Sequence, residues 1–238
     1  MHPLMIPTLP HASTRETPPS VVGVLLNHRS AWDALAPQMN SDPYKAPPKA
    51  PVLYLKPANT WIGDGDTLVL PAGVTEVQVG ATLGVVIGRA TTGVSAADAM
   101  ACVAGYTLVN DITVAHASVY RPPLKYNCRD TFCAIGPQVV PALNVTTPEA
   151  LRLRTWVNGE LRHEADTADL VRSLAVLIAD IGDFMSLFPG DILLAGVAHG
   201  APLVRAGDSI IIEADGLGRL HNTVRAEAQG QTTSGVAA

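Results

Sequence analysis

A Gly-Asp pair directly precedes a short apolar run at three places in this sequence, and this repeated signal constrains the fold most. The pairs are Gly65-Asp66, Gly190-Asp191 and Gly207-Asp208. Glycine supplies the backbone dihedral of a tight turn, and aspartate hydrogen-bonds the nearby backbone, so such pairs mark the entry to a strand. The sequence therefore predicts a strand-rich chain, and turn chemistry alone accounts for these pairs.

Further strands are predicted where apolar runs stand between turn residues. The runs are Val21–Leu26, Val52–Leu55, Thr82–Ile87 and Gly105–Val109. Asn158-Gly159, between Thr155–Val157 and Glu160–His163, is typical of a type I′ hairpin turn. Neither an alternating strand–helix series nor a GxGxxG motif is present, which argues against a dinucleotide-binding fold.

Two helices are predicted among these strands. Ser95 and Asp98 have the spacing of a capping box, so we expect a helix through Val103. Thr167 is predicted to cap the second helix, whose apolar face would contain Leu170, Leu174, Leu177, Ile178 and Ile181. Many strands with few helices favour an α+β, β-rich domain built around a curved sheet or roll.

Charge and cysteine content exclude several functional classes. The formal net charge is −5, and no cluster of Lys or Arg exceeds two residues, which argues against a nucleic-acid groove. The three cysteines, Cys102, Cys128 and Cys133, show no CxxC spacing, so we expect buried thiols in a reducing compartment. Hydrophobic residues make up 47% of the chain, which excludes a disordered protein.

The two ends differ from the central part of the sequence. Residues 1–20 are interrupted by five prolines and are predicted to be a flexible leader rather than a signal peptide. Residues 226–238 are small and polar, and we expect a disordered tail there. No apolar stretch approaches the roughly 18 residues that span a bilayer. The sequence therefore predicts one domain over 21–225 in a cytoplasmic protein without membrane or nucleic-acid partners.

Several catalytic signatures are missing. The sequence contains no GxSxG elbow, HExxH motif or P-loop, so a serine hydrolase, a zincin and a nucleotide hydrolase all lose support. Apart from His2 and His11 in the leader and His221 near the tail, the histidines are His28, His116, His163 and His199. For each of them, a surface or satisfied core position is the ordinary interpretation.

A series of short segments in a fixed order identifies a family. The segments are Asn27–Ser30, Tyr44–Pro48, Lys56-Pro57, Leu83–Gly88, Ala104–Tyr106, Asn110-Asp111, Cys128–Phe132, Trp156–Glu160, Phe188–Asp191 and Gly216–Leu220. Together they resemble the fumarylacetoacetate hydrolase superfamily over about residues 21–225. The resemblance implies a fold like the C-terminal domain of that family, a mixed β-sandwich roll with a few short helices.

Within the family, the chain is similar to the first (N-terminal) half of the two-half decarboxylase/isomerases of homoprotocatechuate (4-hydroxyphenylacetate) catabolism. Ser41–Lys49, Tyr120–Pro122 and Cys128–Asp130 carry this likeness. It implies decarboxylation of 5-oxopent-3-ene-1,2,5-tricarboxylate and isomerisation of 2-hydroxyhepta-2,4-diene-1,7-dioate. It also implies a homodimer, or a heterodimer with a homologous second-half subunit.

The resemblance further implies Mg²⁺ or Mn²⁺, which chelates the 2-keto acid end of the substrate and stabilises an enolate. The family holds this metal with Glu-x-Glu on one strand and an Asp farther along. In this chain the Asp position is Asp111, but the Glu positions are Gly80 and Thr82. Glu76 shares their strand parity but lies roughly 13 Å away, too far to compensate. We therefore expect at most a weak metal site with Asp111 as its ligand.

Other positions of the family pattern are also replaced. Its lid His and Glu fall on Ala31 and Ala34, its Lys on Asn127 and its turn Thr on Val197. The residues that remain for catalysis are His28, beside the lid position, and Lys125, two residues before Asn127. The candidate ligands of substrate carboxylates are Lys56, Arg121 and Arg129.

Alternatives remain open for these residues and for the chain. Lys56 and Arg129 could instead pair with protein carboxylates such as Asp130, and Arg121 before Pro122 suits a surface loop. The chain itself could be an active decarboxylase/isomerase subunit, or a degenerate structural or regulatory subunit that pairs with a metal-bearing partner. A small-molecule binder of dicarboxylates without chemistry is the third interpretation.

Overall fold

The computed structural model describes residues 19–116, 118 and 123–228, and strands dominate this part of the chain. In chain order the strands are β1 (Val21–Leu25), β2 (Val52–Lys56), β3 (Trp61–Ile62), β4 (Thr67–Leu70), β5 (Glu76–Ile87), β6 (Val103–Thr113), β7 (Cys133–Pro141), β8 (Arg152–Val157), β9 (Glu160–Asp166), β10 (Ile192–Leu194), β11 (Leu203–Arg205), β12 (Ser209–Ala214) and β13 (Gly218–Ala226). The α-helices are α1 (Arg29–Leu35), α2 (Leu124–Asn127) and α3 (Leu174–Gly182).

The strands form two sheets. The larger sheet has the order β2-β1-β10-β5-β6-β7-β3, with β11 also paired to β5, and the smaller has the order β4-β13-β12-β8-β9. Pairing is mixed, since β1 runs parallel to β10 whereas β5 runs antiparallel to β6. This is the predicted β-rich α+β architecture with a few short helices, and the fold class is confirmed.

The main core lies between the two sheets. Leu83 of β5 and Leu108 of β6 belong to the same buried cluster as Ile210 and Ile212 of β12. A smaller apolar cluster covers the opposite face of the larger sheet and includes Val86, Val109, Cys133 and Ile192. Alternate residues of a strand point to opposite faces, so Asp111 projects from the same face as Val109.

The Gly-Asp pairs enter strands as predicted. Gly65, Gly190 and Gly207 have φ values of +79°, +93° and +98°, a region that favours glycine. Each aspartate closes its turn by accepting a backbone N–H at 2.7 Å, from Gly63, Phe188 and Arg205 respectively. Asn158 and Gly159 both have positive φ between β8 and β9, which confirms the type I′ hairpin.

For both helices, the predicted first residue was wrong. The first is only a short 3₁₀ turn, Ala99–Cys102, because the Ser95 hydroxyl donates to the Asp98 carboxylate and caps no helix. The second begins at Leu174 and is capped by Ser173. Thr167 instead links Leu151 and Pro148 through its hydroxyl. Four of the five residues predicted for the apolar face lie on α3 and are buried, whereas Leu170 precedes the helix.

Candidate functional site

A cavity of about 380 Å³ opens on the face of the larger sheet that points away from the smaller sheet. Its wall on one side consists of aliphatic residues from β1, α1 and the segment after β10. Its polar side comes from β2, β5, β6 and α2. Its lining residues include Tyr54, Gly80, Asp111, Thr113, Asn127 and Val197.

The β5–β6 register brings the expected metal positions together. Gly80 pairs directly with Asp111, and Thr82 pairs with Val109. Because side chains alternate along a strand, positions 80, 82 and 111 all lie on the cavity face of the sheet. The three positions therefore lie together on this face, although only one of them carries a carboxylate.

Asp111 is held by two neighbours from β2. Lys56 Nζ lies 2.7 Å from Asp111 Oδ1, with 0% and 9% of the two side chains exposed. The Tyr54 hydroxyl donates a short hydrogen bond to Asp111 Oδ2. Tyr54 and Lys56 are two residues apart on β2, so both reach the cavity face. The negative charge of the carboxylate is thereby paired with the Lys56 ammonium, and the group is fixed in orientation at the base of the cavity.

The Lys56 ammonium is saturated by protein oxygens. Besides Asp111, it donates to the carbonyl oxygens of Ile112 at 2.6 Å, Phe132 at 2.9 Å and Asn127 at 3.0 Å. A buried charge is tolerated only when it is paired and hydrogen-bonded in this way. Lys56 therefore ties β2 to β6, α2 and the start of β7, and its predicted contact with substrate stays a prediction.

Tyr54 reaches Asp111 because residue 23 is glycine. The Tyr54 ring lies over Gly23 on the neighbouring strand, where an added Cβ would stand 2.1 Å from the ring. Burial, and then the negative charge of Asp111, raise the pKa of Tyr54 well above its ordinary value. The phenol therefore stays protonated at neutral pH and acts as the donor to Asp111.

A second polar group forms the wall beside β6. The Thr113 hydroxyl donates to Asn127 Oδ1 at 2.5 Å. His116 donates from Nδ1 to the Val114 carbonyl at 2.9 Å, and its ring stacks on Tyr126 with centroids 4.9 Å apart. Thr113, His116 and Asn127 all line the cavity, so they are its main hydrogen-bonding side chains on this wall.

The side-chain groups that could act as metal ligands in this cavity do not fit a divalent cation. Gly80 has no side chain, and the Thr82 hydroxyl donates to the Gly196 carbonyl at 2.9 Å. In the described part of the chain, no group of three or more His, Cys, Asp or Glu side chains is placed to hold an ion. Mg²⁺ and Mn²⁺ favour several oxygen ligands, whereas among the residues that the structure describes Asp111 is the one carboxylate lining this cavity.

His28 stands beside the cavity rather than in it. It caps α1 by accepting the Ser30 N–H on Nδ1 at 3.3 Å, and its side chain is buried. Its other ring nitrogen has no hydrogen-bond partner within the described residues. Burial lowers the pKa of His28, which Asp169 and Asp166 partly offset. His28 therefore sets the position of α1, whose Ala31 and Ala34 line the cavity.

The other predicted site residues are scattered. Lys125 is exposed on α2, and its carbonyl accepts from Arg129 Nε at 2.8 Å. Neither residue lines the cavity. Arg121 lies outside the described residues. The structure thus brings together Lys56, Asp111, Gly80 and Thr82, and the proposed catalytic and substrate-binding roles stay predictions.

The thiols near the site are poor nucleophiles. All three cysteines are free; Cys102 and Cys133 are buried as expected, whereas Cys128 is only half-buried, so the expectation of a buried thiol was wrong there. Cys133 pairs with Asp111 across β6 and β7, and burial raises its pKa to about 12. Burial also raises the pKa of Cys128, whose thiol donates to the Leu55 carbonyl at 3.3 Å. Thiolate chemistry is therefore disfavoured at neutral pH.

Sequence reasoning missed Tyr54, Thr113 and His116. The signal for Tyr54 was its spacing from Lys56, because residues two apart on a strand share a face. Thr113 has the same relation to Asp111 on β6. His116 follows the end of β6, and only the tertiary structure places it on Tyr126 of α2.

Among the described helices, none is both long and apolar enough to cross a membrane.

Comparison with known proteins identifies the family of this chain. The family model "Fumarylacetoacetate (FAA) hydrolase C-terminal" matches residues 20–225. An Escherichia coli 4-hydroxyphenylacetate degradation bifunctional isomerase/decarboxylase is 39% identical over 86% of this chain, which spans only 47% of that relative. The chain thus covers about half the length of such curated relatives.

Solved structures show the same fold. A 5-carboxymethyl-2-hydroxymuconate delta-isomerase from Mycobacterium smegmatis superposes with a TM-score of 0.76 at 31% identity, covering 89% of this chain and 80% of its own. A maleylpyruvate hydrolase from Sphingobium sp. SYK-6, solved with manganese(II) and pyruvate, gives 0.72 at 30% identity, covering 87% and 70%. Metal use is therefore a property of relatives. The chain belongs to the fumarylacetoacetate hydrolase family.

Proposed function

We propose that the chain is a subunit of a decarboxylase/isomerase of 4-hydroxyphenylacetate catabolism and works together with a homologous, metal-bearing subunit. The assembly would act on 5-oxopent-3-ene-1,2,5-tricarboxylate and 2-hydroxyhepta-2,4-diene-1,7-dioate. The observation that carries the proposal is a well-formed family cavity whose base holds one carboxylate, already paired with Lys56.

The length of the relatives supports a subunit role. The E. coli bifunctional isomerase/decarboxylase is matched over 47% of its length, so one copy of this chain corresponds to about half of it. A second unit of similar size would complete the assembly. We expect that unit to be a homologous second-half chain, because a homodimer would only repeat the cavity of this chain, whose residues do not fit a divalent cation.

The chemistry of the reaction explains why a metal-bearing partner is needed. When a carboxylate that is conjugated with the 2-keto group through the double bond leaves as CO₂, or when a proton shifts along the same conjugated chain, the electron pair forms a dienolate that a divalent cation would stabilise as a Lewis acid. In this chain the Asp111 carboxylate is neutralised by Lys56 and hydrogen-bonded by Tyr54. These residues hold the shape of the cavity, and the enolate would be stabilised in the other subunit.

A chimera tests the proposal directly. This chain replaces the matching half of the E. coli relative, and release of CO₂ from the tricarboxylate is measured together with isomerisation of the dienedioate. The isolated chain and the isolated remaining half serve as controls. We expect turnover by the chimera and none by this chain alone, both with Mg²⁺ or Mn²⁺ supplied.

Two results would contradict the proposal. Turnover by the isolated chain that disappears in Arg129→Ala would assign the reaction to this chain alone. A chimera that melts cooperatively but has no activity, also when the two halves are coexpressed as separate chains, would exclude the subunit role. Saturable binding of a dicarboxylate by the isolated chain, together with an inactive chimera, would instead indicate a binder without chemistry.

A further inference from the structure

We propose that the cavity of this chain binds an uncharged, half-apolar small molecule that carries a carboxamide group, in preference to a carboxylate anion. The inference goes beyond the proposed function, since it assigns a ligand to this chain and no step of the reaction. Three features of the cavity support it: its charge, its hydrogen-bonding wall and its aliphatic wall.

The described lining of the cavity offers no free cation to an anion. Asp111 is the one carboxylate there, and its two oxygens are taken by Lys56 and Tyr54. The Lys56 ammonium does not line the cavity, and protein oxygens surround it. A carboxylate that entered would lose its hydration and would find no opposite charge among these residues, which is unfavourable.

The hydrogen-bonding wall presents one unused donor beside one unused acceptor. The Thr113 hydroxyl donates to Asn127 Oδ1 at 2.5 Å, so the Asn127 amide nitrogen is left as the donor. Gln78 Nε2 donates to the Ala201 carbonyl at 3.0 Å, and because that carbonyl can only accept, Gln78 Oε1 is left as the acceptor. Gln78 and Asn127 both line the cavity.

Strand pairing places these two groups close together. Gln78 on β5 lies directly opposite Thr113 on β6, where paired side chains start about 4.5–5.5 Å apart. Thr113 in turn contacts Asn127 of α2, so the three side chains form a row along this wall. The donor and the acceptor are thus separated by a single side chain.

A carboxamide matches this row, and a carboxylate of the same shape does not. The carbonyl oxygen of an amide accepts from Asn127 Nδ2, while its NH₂ group donates to Gln78 Oε1. A carboxylate has no proton for Gln78 and sets a negative charge against that oxygen. The mismatch leaves a partly buried acceptor unpaired, which weakens binding by roughly tenfold or more.

The opposite wall suits the apolar part of such a ligand. It is made of aliphatic side chains: Val24, Leu25, Leu26, Ala31, Ala34, Leu35, Val197 and Ala198. The cavity volume of about 380 Å³ falls within the usual range for small-molecule sites. A hydrocarbon ring attached to the carboxamide would therefore pack against α1 while the amide faces β5 and α2.

Benzamide and benzoate are the matched probes, because they have the same shape and differ in charge and in the NH₂ donor. Each is titrated into the full-length, ¹⁵N-labelled chain and followed by NMR at about pH 8, where an ordinary imidazole is uncharged. We expect saturable shifts of cavity residues with benzamide and a dissociation constant for benzoate that is about tenfold or more higher.

Two variants connect the preference with the cavity. Gln78→Leu should weaken benzamide about fivefold or more and leave benzoate no weaker, because only the amide uses the Gln78 oxygen. Gln138→Leu is the matched control, since Gln138 is exposed and does not line the cavity. Ala31→Phe should abolish binding of both probes by filling the space beside α1. Each variant is first shown to melt cooperatively.

Several results would overturn the proposal. Equal affinities for the two probes, or unchanged benzamide binding in Gln78→Leu and Ala31→Phe, would refute the assignment, as would no saturable benzamide shift up to about 10 mM. Tighter binding of benzoate that Arg121→Ala removes would show that a cation outside the described residues serves an anionic ligand. These titrations involve no turnover, so failure here and failure of the subunit role are separable.

Discussion

Replacement of Lys56 by methionine should destabilise the fold more than any change on the cavity surface. Methionine has a similar length and keeps the apolar contacts of the side chain, so the change isolates the ammonium group. Its loss leaves the Asp111 carboxylate buried without its cation and removes the donor shared by three backbone carbonyls. Breaking a buried ion pair by removal of one partner costs about 3–5 kcal/mol.

Urea unfolding followed by circular dichroism measures this effect. With a slope of about 1–3 kcal/mol per molar urea, a loss of about 3–5 kcal/mol should lower the midpoint by roughly 1–5 M. Lys49→Met is the matched control: Lys49 is exposed, so we expect a change within about 0.5 kcal/mol. Asp111→Asn added to Lys56→Met should recover part of the loss, because the unpaired charge is then gone.

The outcome that contradicts the reasoning is specific. If Lys56→Met costs less than about 1 kcal/mol with an unchanged slope, the ammonium does not hold β2 to β6 and α2 in solution. Equal stability of Lys56→Met with and without Asp111→Asn would show that the charge pair is not coupled.

Three smaller effects follow from the same region. Tyr54→Phe should lower the free energy of unfolding by about 1.5–3 kcal/mol, because a buried hydrogen bond to the Asp111 carboxylate is lost; a wild-type urea midpoint would contradict this. Burial lowers the pKa of His28 in the folded chain, so the unfolded state takes up the proton first and wild-type stability should fall as the pH drops below about 6.5. The stability of His28→Asn, which keeps a capping side chain, should fall less steeply in acid than that of the wild-type chain, and above about pH 7.5 the two stabilities should depend on pH in the same way. Parallel stability curves at all pH values would exclude the effect. A thiol reagent at pH 8 should modify Cys128 before the buried Cys133, whose pKa is raised to about 12, and simultaneous modification would show that the β6–β7 region opens.

Local sequence signals were most reliable where a backbone conformation demands a residue type. The Gly-Asp strand entries and the Asn158-Gly159 hairpin followed from positive φ and short-range hydrogen bonds. The first residues of helices were less predictable, because the Ser95 and Thr167 hydroxyl groups form hydrogen bonds elsewhere and do not cap the predicted helices. A capping pattern is only one of several hydrogen bonds that a hydroxyl can make, and the surrounding structure selects among them.

The sequence by itself determined the family, the strand-rich class and the loss of carboxylates at positions 80 and 82. These depend on residue identity and on short spacings along the chain. Only the tertiary structure decided that Lys56 and Tyr54 meet Asp111 and that Val197 covers Gly80. Those contacts join residues more than fifty positions apart. They depend on strand register and packing distance, and no local pattern in a single sequence encodes either of them.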